Sequence, residues 1–434
     1  MTRGLSPNQE VIDTFPPGPS IPRWAQTGWW ALRPLAFMRH CQRRYGDLFT
    51  IRVHAFGNIV VIADPALIKE VFAAGQANAA MSPVLGRHSL LVLDGDRHLR
   101  QRKLMLPPFH GEAIGRYRQR VEQITVDEVA SWPLGKPFAV RPRMQAITFE
   151  VILRAVIGVS DPQRLERLRE LLPKLLDFSV FDMWFVWLFP KILNTPIGRR
   201  HKSMRVRPEV DRLLYEEIAA HRADPEGRDD ILALLVAAHG EDGKPLSDEE
   251  LLDQIITLLL AGHETTTTGL AWAFERLVRH PAVLQRLRSD LEQGEEDYLD
   301  AVVNETLRVR PVIDGVWRKL TAPASLAGHR LPAGTLVFPA ISLVQTSTAF
   351  PDAEEFRPER FLEGSPAPYT FIPFGGGPRR CIGASFATME MKTVLSTVLE
   401  RVELHAARHR SESPRVHHVT QIPSRGARVV ASAR

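Results

Sequence analysis

Cysteine is almost missing from this chain: Cys41 and Cys381 are the only two in 434 residues. That scarcity excludes a disulfide framework and a cysteine-rich structural zinc site, and it fits a reducing, intracellular compartment. Long apolar runs are missing too. The N-terminus, MTRGLSPNQEVIDTFPPGPSIPRW, has neither the roughly 7 to 15 apolar residues of a signal peptide nor the roughly 20 of a membrane span. A soluble, cytoplasmic protein, peripheral to a membrane at most, is expected. No Gly/Ser linker, low-complexity tract or fixed-period repeat divides the sequence, which therefore reads as one domain over 1–434. Nor is charge of one sign concentrated. The 55 Lys and Arg and 50 Asp and Glu are spread along the chain, which argues against nucleic acid as a partner.

What is present is an ordinary globular composition, 44% hydrophobic and 24% charged, on a chain long enough to bury a core around a sizeable cofactor. Residues 1–25 read as a proline-rich strap, because Pro16, Pro17, Pro19 and Pro22 fix the backbone and remove donors. Residues 48–63 carry two β-branched runs around a Phe56-Gly57-Asn58 turn, and Asp64-Pro65 then opens a helix. Between 112 and 239, Leu, Ile and Val recur at helical spacing. The strongest element begins at Ser247, whose S-x-x-E pattern with Glu250 is a capping box, and runs to His280-Pro281. Its length is about 50 Å. Residues 331–338 return to a strand pattern, 369–380 form a Gly/Pro-rich loop and 381–402 read as helix. The predicted class is mainly α with a smaller β portion.

Gly375, Gly376 and Gly377 stand just before Pro378-Arg379-Arg380-Cys381, so the backbone there can take positive φ and approach a flat ligand closely. A helix starting at the cysteine would aim its N-terminal amides at the sulfur. With the two arginines it would favour the thiolate, the form that binds metal. A tight turn with a small buried cysteine is the plain alternative. A P-loop is excluded because no Gly-Lys-Ser/Thr follows, and a zinc ribbon because no second cysteine is near.

In the long helix, Ala261-Gly262-His263-Glu264 runs into four threonines, 265–268, where helix propensity favours neither glycine nor threonine. An acid beside an alcohol can hold water and pass protons to a reduced dioxygen. A polar helix face whose threonines bond back to carbonyls is the competing reading. A zincin is excluded, since the fifth position of the would-be H-E-x-x-H is Thr267.

The run 374–383 resembles the cysteine signature F-x-x-G-x-R-x-C-x-G of the cytochrome P450 family at every fixed position. Ala261, Gly262, Glu264 and Thr265 resemble that family's (A/G)-G-x-(D/E)-T motif. Glu305 with Arg308, and the 356–361 segment with Arg360, resemble its E-x-x-R and P-E-R-F elements. The motifs follow the family's order along nearly the whole chain. The resemblance implies the P450 fold, with haem b (iron protoporphyrin IX) between the long central helix and the cysteine-loop helix. It makes Cys381 the iron ligand, sets Phe374 beside the thiolate, and brings Ala261 and Gly383 to the cofactor. It assigns His98, Arg102, Arg318 and Arg379 to the propionates, with a solvated surface side chain as the alternative for His98, Arg102 and Arg318 taken singly. Glu264 and Thr265 become the proton-relay pair, and Glu305, Arg308 and Arg360 a structural network.

Substrate walls are implied at 81–93, at Leu259, at Ile313, Asp314 and Val316, and at 420–423 with Gln421. The aromatic segment 178–190 reads as a lid, as helix packing or as a membrane contact. The implied function is a monomeric monooxygenase that uses dioxygen to hydroxylate or epoxidise a fatty acid, terpenoid, steroid or polyketide. A haem-thiolate peroxygenase or rearrangement catalyst, and a haem protein that only binds a ligand, are the alternatives. Glu264-Thr265 favours the first. No flavin or iron–sulfur segment is fused in, so electrons are expected from a separate ferredoxin and ferredoxin reductase, docking near Arg100, Lys103, Arg379 and Arg380. For the 97–103 stretch, a solvated helix face is as good a reading.

Overall fold

The computed structural model describes residues 15–54, 56–74, 76–78, 85–176, 202–224, 227–241 and 243–434. The 178–190 segment and residues 81–84 lie outside them. The chain divides into two compact units, one made of Met1–Ala80, Asp314–Ala353 and Pro366–Arg380, the other of Met81–Ile313, Glu354–Ser365 and Cys381–Arg434.

The first unit is organised on a five-stranded sheet ordered Leu48–Val53, Gly57–Ile62, Leu336–Pro339, Arg318–Leu320, Gln76–Asn78. Ile59, Val60, Val61 and Ile62 form an unbroken buried run, as befits an inner strand covered on both faces. That strand runs antiparallel to Leu48–Val53 and parallel to Leu336–Pro339. The hairpin turns earlier than expected. Pairing continues to Val53 opposite Gly57, which takes φ +72 as the first residue of the second strand, and Asn58 is already paired with Arg52. Asp64 caps Pro65–Ala73 as expected, its Oδ1 accepting the Leu67 amide at 2.9 Å. The proline strap ends sooner than residue 25, because a helix, Arg23–Leu32, starts directly after Pro22. Before it, the Pro17 carbonyl accepts the Thr50 amide at 2.9 Å, laying the strap along the sheet.

The second unit is mainly helical. Gly95–Met105, Glu112–Val129, Val140–Val151, Pro162–Leu176, Lys202–Ala223 and Ile231–Ala237 precede the long helix Asp248–Arg279. Ser247 and Glu250 close a reciprocal capping box, at 3.2 and 2.9 Å, and His280-Pro281 ends the 32-residue helix. The long helix packs against Val140–Val151, Ala384–Arg401 and the hairpin formed by Pro414–His417 and Thr420–Pro423. Fully buried Trp272 fixes that hairpin by donating Nε1 to the Gln421 carbonyl at 2.5 Å.

The Glu305 pairing is a core feature rather than a surface one. Glu305 and Arg308 are 0% exposed. The carboxylate accepts Arg308 Nε at 2.6 Å and Nη2 at 2.8 Å, Arg360 Nε at 3.1 Å and the Arg357 amide at 2.8 Å. Arg308 also donates to the Glu355 carbonyl at 3.0 Å. Each guanidinium in this cluster reaches the Glu305 carboxylate, and such pairing is the condition for ions to sit in a core.

Candidate active site

The cysteine loop is held in the first unit through its glycines and one amide. A side chain at Gly376 would place its Cβ 2.5 Å from the Phe72 ring, and one at Gly377, where φ is +67, would meet the Phe72 carbonyl oxygen at 2.5 Å. Only hydrogen fits at either position. The Ile372 amide donates to Gln345 Oε1 at 3.0 Å, and Gly377–Arg379 forms a single 3-10 turn closed by the Arg380 amide on the Gly377 carbonyl. Phe374 is half-buried there.

Cys381 follows and is exposed. The helix does not begin at the cysteine. Gly383 takes the N-cap position and Ala384–Arg401 is the helix, so its unbonded N-terminal amides start three residues beyond the sulfur.

Arg318, on the central sheet of the first unit, is 6% exposed. Burial, and then the neighbouring Arg379 charge, push its guanidinium down to about 10. In the second unit, His98 lies buried on Gly95–Met105, with half-buried Arg102 one turn on. The basic patch of that helix is partly neutralised: Lys103 pairs with Glu241 at 2.8 Å and Arg100 with Glu250 at 3.6 Å.

Midway along the long helix, Ala261 is exposed although Leu259 and His263 on either side are buried. The threonines do several things. Thr265 donates Oγ1 back to the Ala261 carbonyl at 2.6 Å. Thr267 and His263 Nδ1 both meet Thr148 Oγ1, at 2.7 and 2.9 Å, and burial pushes His263 down to about 4.

Glu264 is the most heavily engaged residue of the motif. Its Oε1 accepts Arg141 Nη2 at 2.7 Å, His417 Nδ1 at 3.1 Å and Thr420 Oγ1 at 3.2 Å. Burial opposes its charge, but the His417 hydrogen bond and the Arg141 cation outweigh it and hold the carboxyl at about 2. Sequence reading did not anticipate Arg141 or His417, and it placed Thr420 only among pocket walls. Ligand atoms of Glu264, His417 and His418 lie within 4.8 Å of one another, but a metal ion there would have to displace the guanidinium of Arg141.

The implied pocket residues are mostly tied into the fold. Leu259 is buried, and Ile313, Asp314 and Val316 are half-buried. Gln421 is 8% exposed, and its amide donates to the Val312 carbonyl at 2.8 Å. Residues 85–93 are fastened to the long helix through Thr257, whose Oγ1 donates to Ser89 Oγ at 2.7 Å.

The sequence matches the family model described as Cytochrome P450 over residues 16–427. A Mycobacterium tuberculosis protein provisionally named cytochrome P450 135B1 is 46% identical over 431 residues, covering 96% of this chain and 91% of that protein. Another from the same organism, provisionally named cytochrome P450 137, is 37% identical over 431 residues, covering 95% and 90%. Among solved structures, retinoic acid-bound cyanobacterial CYP120A1 shares the fold with a TM-score of 0.83 at 26% identity, covering 97% of this chain and 99% of that one.

Proposed function

The chain belongs to the cytochrome P450 family, haem-thiolate monooxygenases that use dioxygen and redox partners, and from that premise we propose that Cys381 holds the iron and that the substrate is a lipophilic small molecule. The observation that carries the proposal is the cysteine loop. Two side-chain-free contacts with Phe72 fix its path, and Cys381 leaves it exposed.

The donor set suits haem. Cys381 offers a thiolate, and Arg318 and Arg379 are neighbouring cations of the kind that bind carboxylates, of which haem carries two. Exposed Ala261 is small enough to lie against a flat ring. His98 and Arg102 are further candidates for the propionates. Bound haem supplies the oxidising chemistry, and a thiolate ligand favours O–O cleavage. The overall reaction is R–H + O₂ + 2e⁻ + 2H⁺ → R–OH + H₂O, or the matching epoxidation.

The protein's own part in that reaction is proton handling and substrate positioning. Thr265, having given its hydrogen to the Ala261 carbonyl, keeps oxygen lone pairs with which to accept from a water. Glu264 can take up a proton only by loosening its His417 hydrogen bond and its Arg141 pair, because together they keep it ionised. This restraint also lends weight to a second reading, oxidation driven by peroxide, which brings its own protons. Haem b as cofactor, a ferredoxin and its reductase as electron donors, a monomeric state and a cytoplasmic location complete the proposal. Retinoic acid, named with the solved neighbour, is a terpenoid acid, so terpenoids and fatty acids head the substrate panel.

The test is spectroscopic first. The reduced carbon monoxide complex should show the thiolate-type Soret shift in the wild type and lose it in Cys381→Ser; retention of the shift would overturn the assignment. Spin-state titration against lipophilic acids then ranks substrates. Product formed with NAD(P)H, ferredoxin and reductase supports monooxygenation, and product formed only with hydrogen peroxide supports the second reading.

A further inference from the structure

The helix Arg23–Leu32 is built inside out. Its single buried residue is polar: Gln26, 0% exposed, donates Nε2 to the carbonyls of Pro19 at 3.0 Å and Ile21 at 2.9 Å and accepts the Arg52 amide at 2.8 Å. Two of its large apolar residues face water instead. Trp24 is 69% exposed and Leu32 is 83% exposed, with Ile21 just ahead of the helix at 38%. Gly28, which has nothing within 4 Å of a would-be Cβ, completes a strip with Trp24 and Leu32 at four-residue spacing. The helix is nevertheless held firmly, since Trp29 lies 5.0 Å from the Phe37 ring and Trp30 5.5 Å from Trp317. A rigid helix that hides its glutamine and shows tryptophan and leucine is shaped for something other than water.

Charge indicates what that is. Residues 15–45 contain no Asp or Glu but five arginines, Arg23, Arg33, Arg39, Arg43 and Arg44. Arg23 and Arg33 bracket the helix, and neither they nor Arg43 and Arg44 form an ion pair among the described residues. An acidic partner is called for on charge and an apolar one on exposure, and an anionic bilayer surface is both. Tryptophan favours the headgroup level, and basic residues are drawn to anionic lipid.

We infer that Arg23–Leu32 seats the protein on an anionic lipid surface, with Trp24 and Leu32 entering the headgroup–acyl boundary and Arg23 and Arg33 meeting phosphates. Ten residues make a helix of about 15 Å, half a hydrocarbon thickness, so it lies in the interface rather than crossing it.

The experiment is co-sedimentation of the full-length holoprotein with vesicles of phosphatidylcholine alone and with an equal share of phosphatidylglycerol. Binding is expected only to the anionic vesicles and should weaken as salt rises. Trp24→Ser/Leu32→Ser should lower partitioning by about tenfold or more. Arg23→Glu/Arg33→Glu should do the same at low salt while leaving the melting temperature unchanged. Wild-type-like binding by Trp24→Ser/Leu32→Ser would overturn the inference and move the contact elsewhere on the chain. So would equal binding to neutral vesicles, or a lipid-independent dimer abolished by the same pair, which would make a second copy the occupant.

Discussion

Arg141 Nη2 lies 2.7 Å from Glu264 Oε1, joining the first turn of Val140–Val151 to the polar interruption of the long helix. Together with the His417 hydrogen bond, the contact decides how the acid of the motif behaves, because the two turn a group that could carry a proton into a fixed anion. Its folded value, about 2, is below the ordinary 4.5. Stability from the pair is therefore present above about pH 4.5 and is lost as pH falls toward 2.

Arg141→Ala should cost about 1–2 kcal/mol at pH 7, less than breaking a fully buried pair, since both side chains are only half-buried and His417 and Thr420 remain. Urea unfolding at pH 7 and at pH 3 checks this, and the gap between wild type and variant should narrow in acid. A gap that is constant with pH would mean the loss is one of packing. Glu264→Gln should reduce product formed per NAD(P)H by about a hundredfold if the residue delivers protons.

Glu305→Ala should take away the carboxylate that faces the buried Arg308 and Arg360 guanidiniums, at a cost of about 3–5 kcal/mol. The measurements are soluble yield and thermal midpoint. A variant that melts within about 1 °C of the wild type would show that the network is dispensable to stability.

Glu390 is 3% exposed and its Oε1 accepts no hydrogen bond among the described residues. Burial pushes its carboxyl up to about 8 from 4.5. Between those values the folded protein keeps a proton that the unfolded chain has released, so stability falls as pH rises through that window and the loss is complete above 8. Glu390→Gln should melt with the wild type near pH 5 and roughly 5 °C above it at pH 8.5. Equal midpoints at both would refute the buried neutral acid.

Arg380 is exposed and forms no ion pair among the described residues, whereas Lys103 is already matched by Glu241. Arg380→Glu should therefore slow reduction by ferredoxin more than Lys103→Glu does, chiefly at low salt. Stopped-flow reduction at two ionic strengths separates the cases.

The long helix and the Asp64 cap were legible because their signals are local: a serine and a glutamate three apart, an aspartate before a proline. The start of the cysteine-loop helix was not, since Gly383 can end a turn as readily as begin a helix. Glu305 and Arg308 showed their spacing but not their burial, because a surface helix carries the same pair; Arg360, 55 residues from Glu305, completes the cluster only in three dimensions. Glu264 was visible by motif, yet Arg141 and His417 approach it from 123 and 153 residues away. No sequence period connects such distances.

His417 and Thr420, the last pair before the turn of the Pro414–His417 and Thr420–Pro423 hairpin, both touch the Glu264 carboxylate. Anyone randomising this hairpin to accept new substrates would be editing the acid's surroundings in the same stroke. If Glu264 handles protons as proposed, libraries screened for binding alone would then enrich variants that consume NAD(P)H and release peroxide. A screen on product yield per reducing equivalent would keep the two properties together.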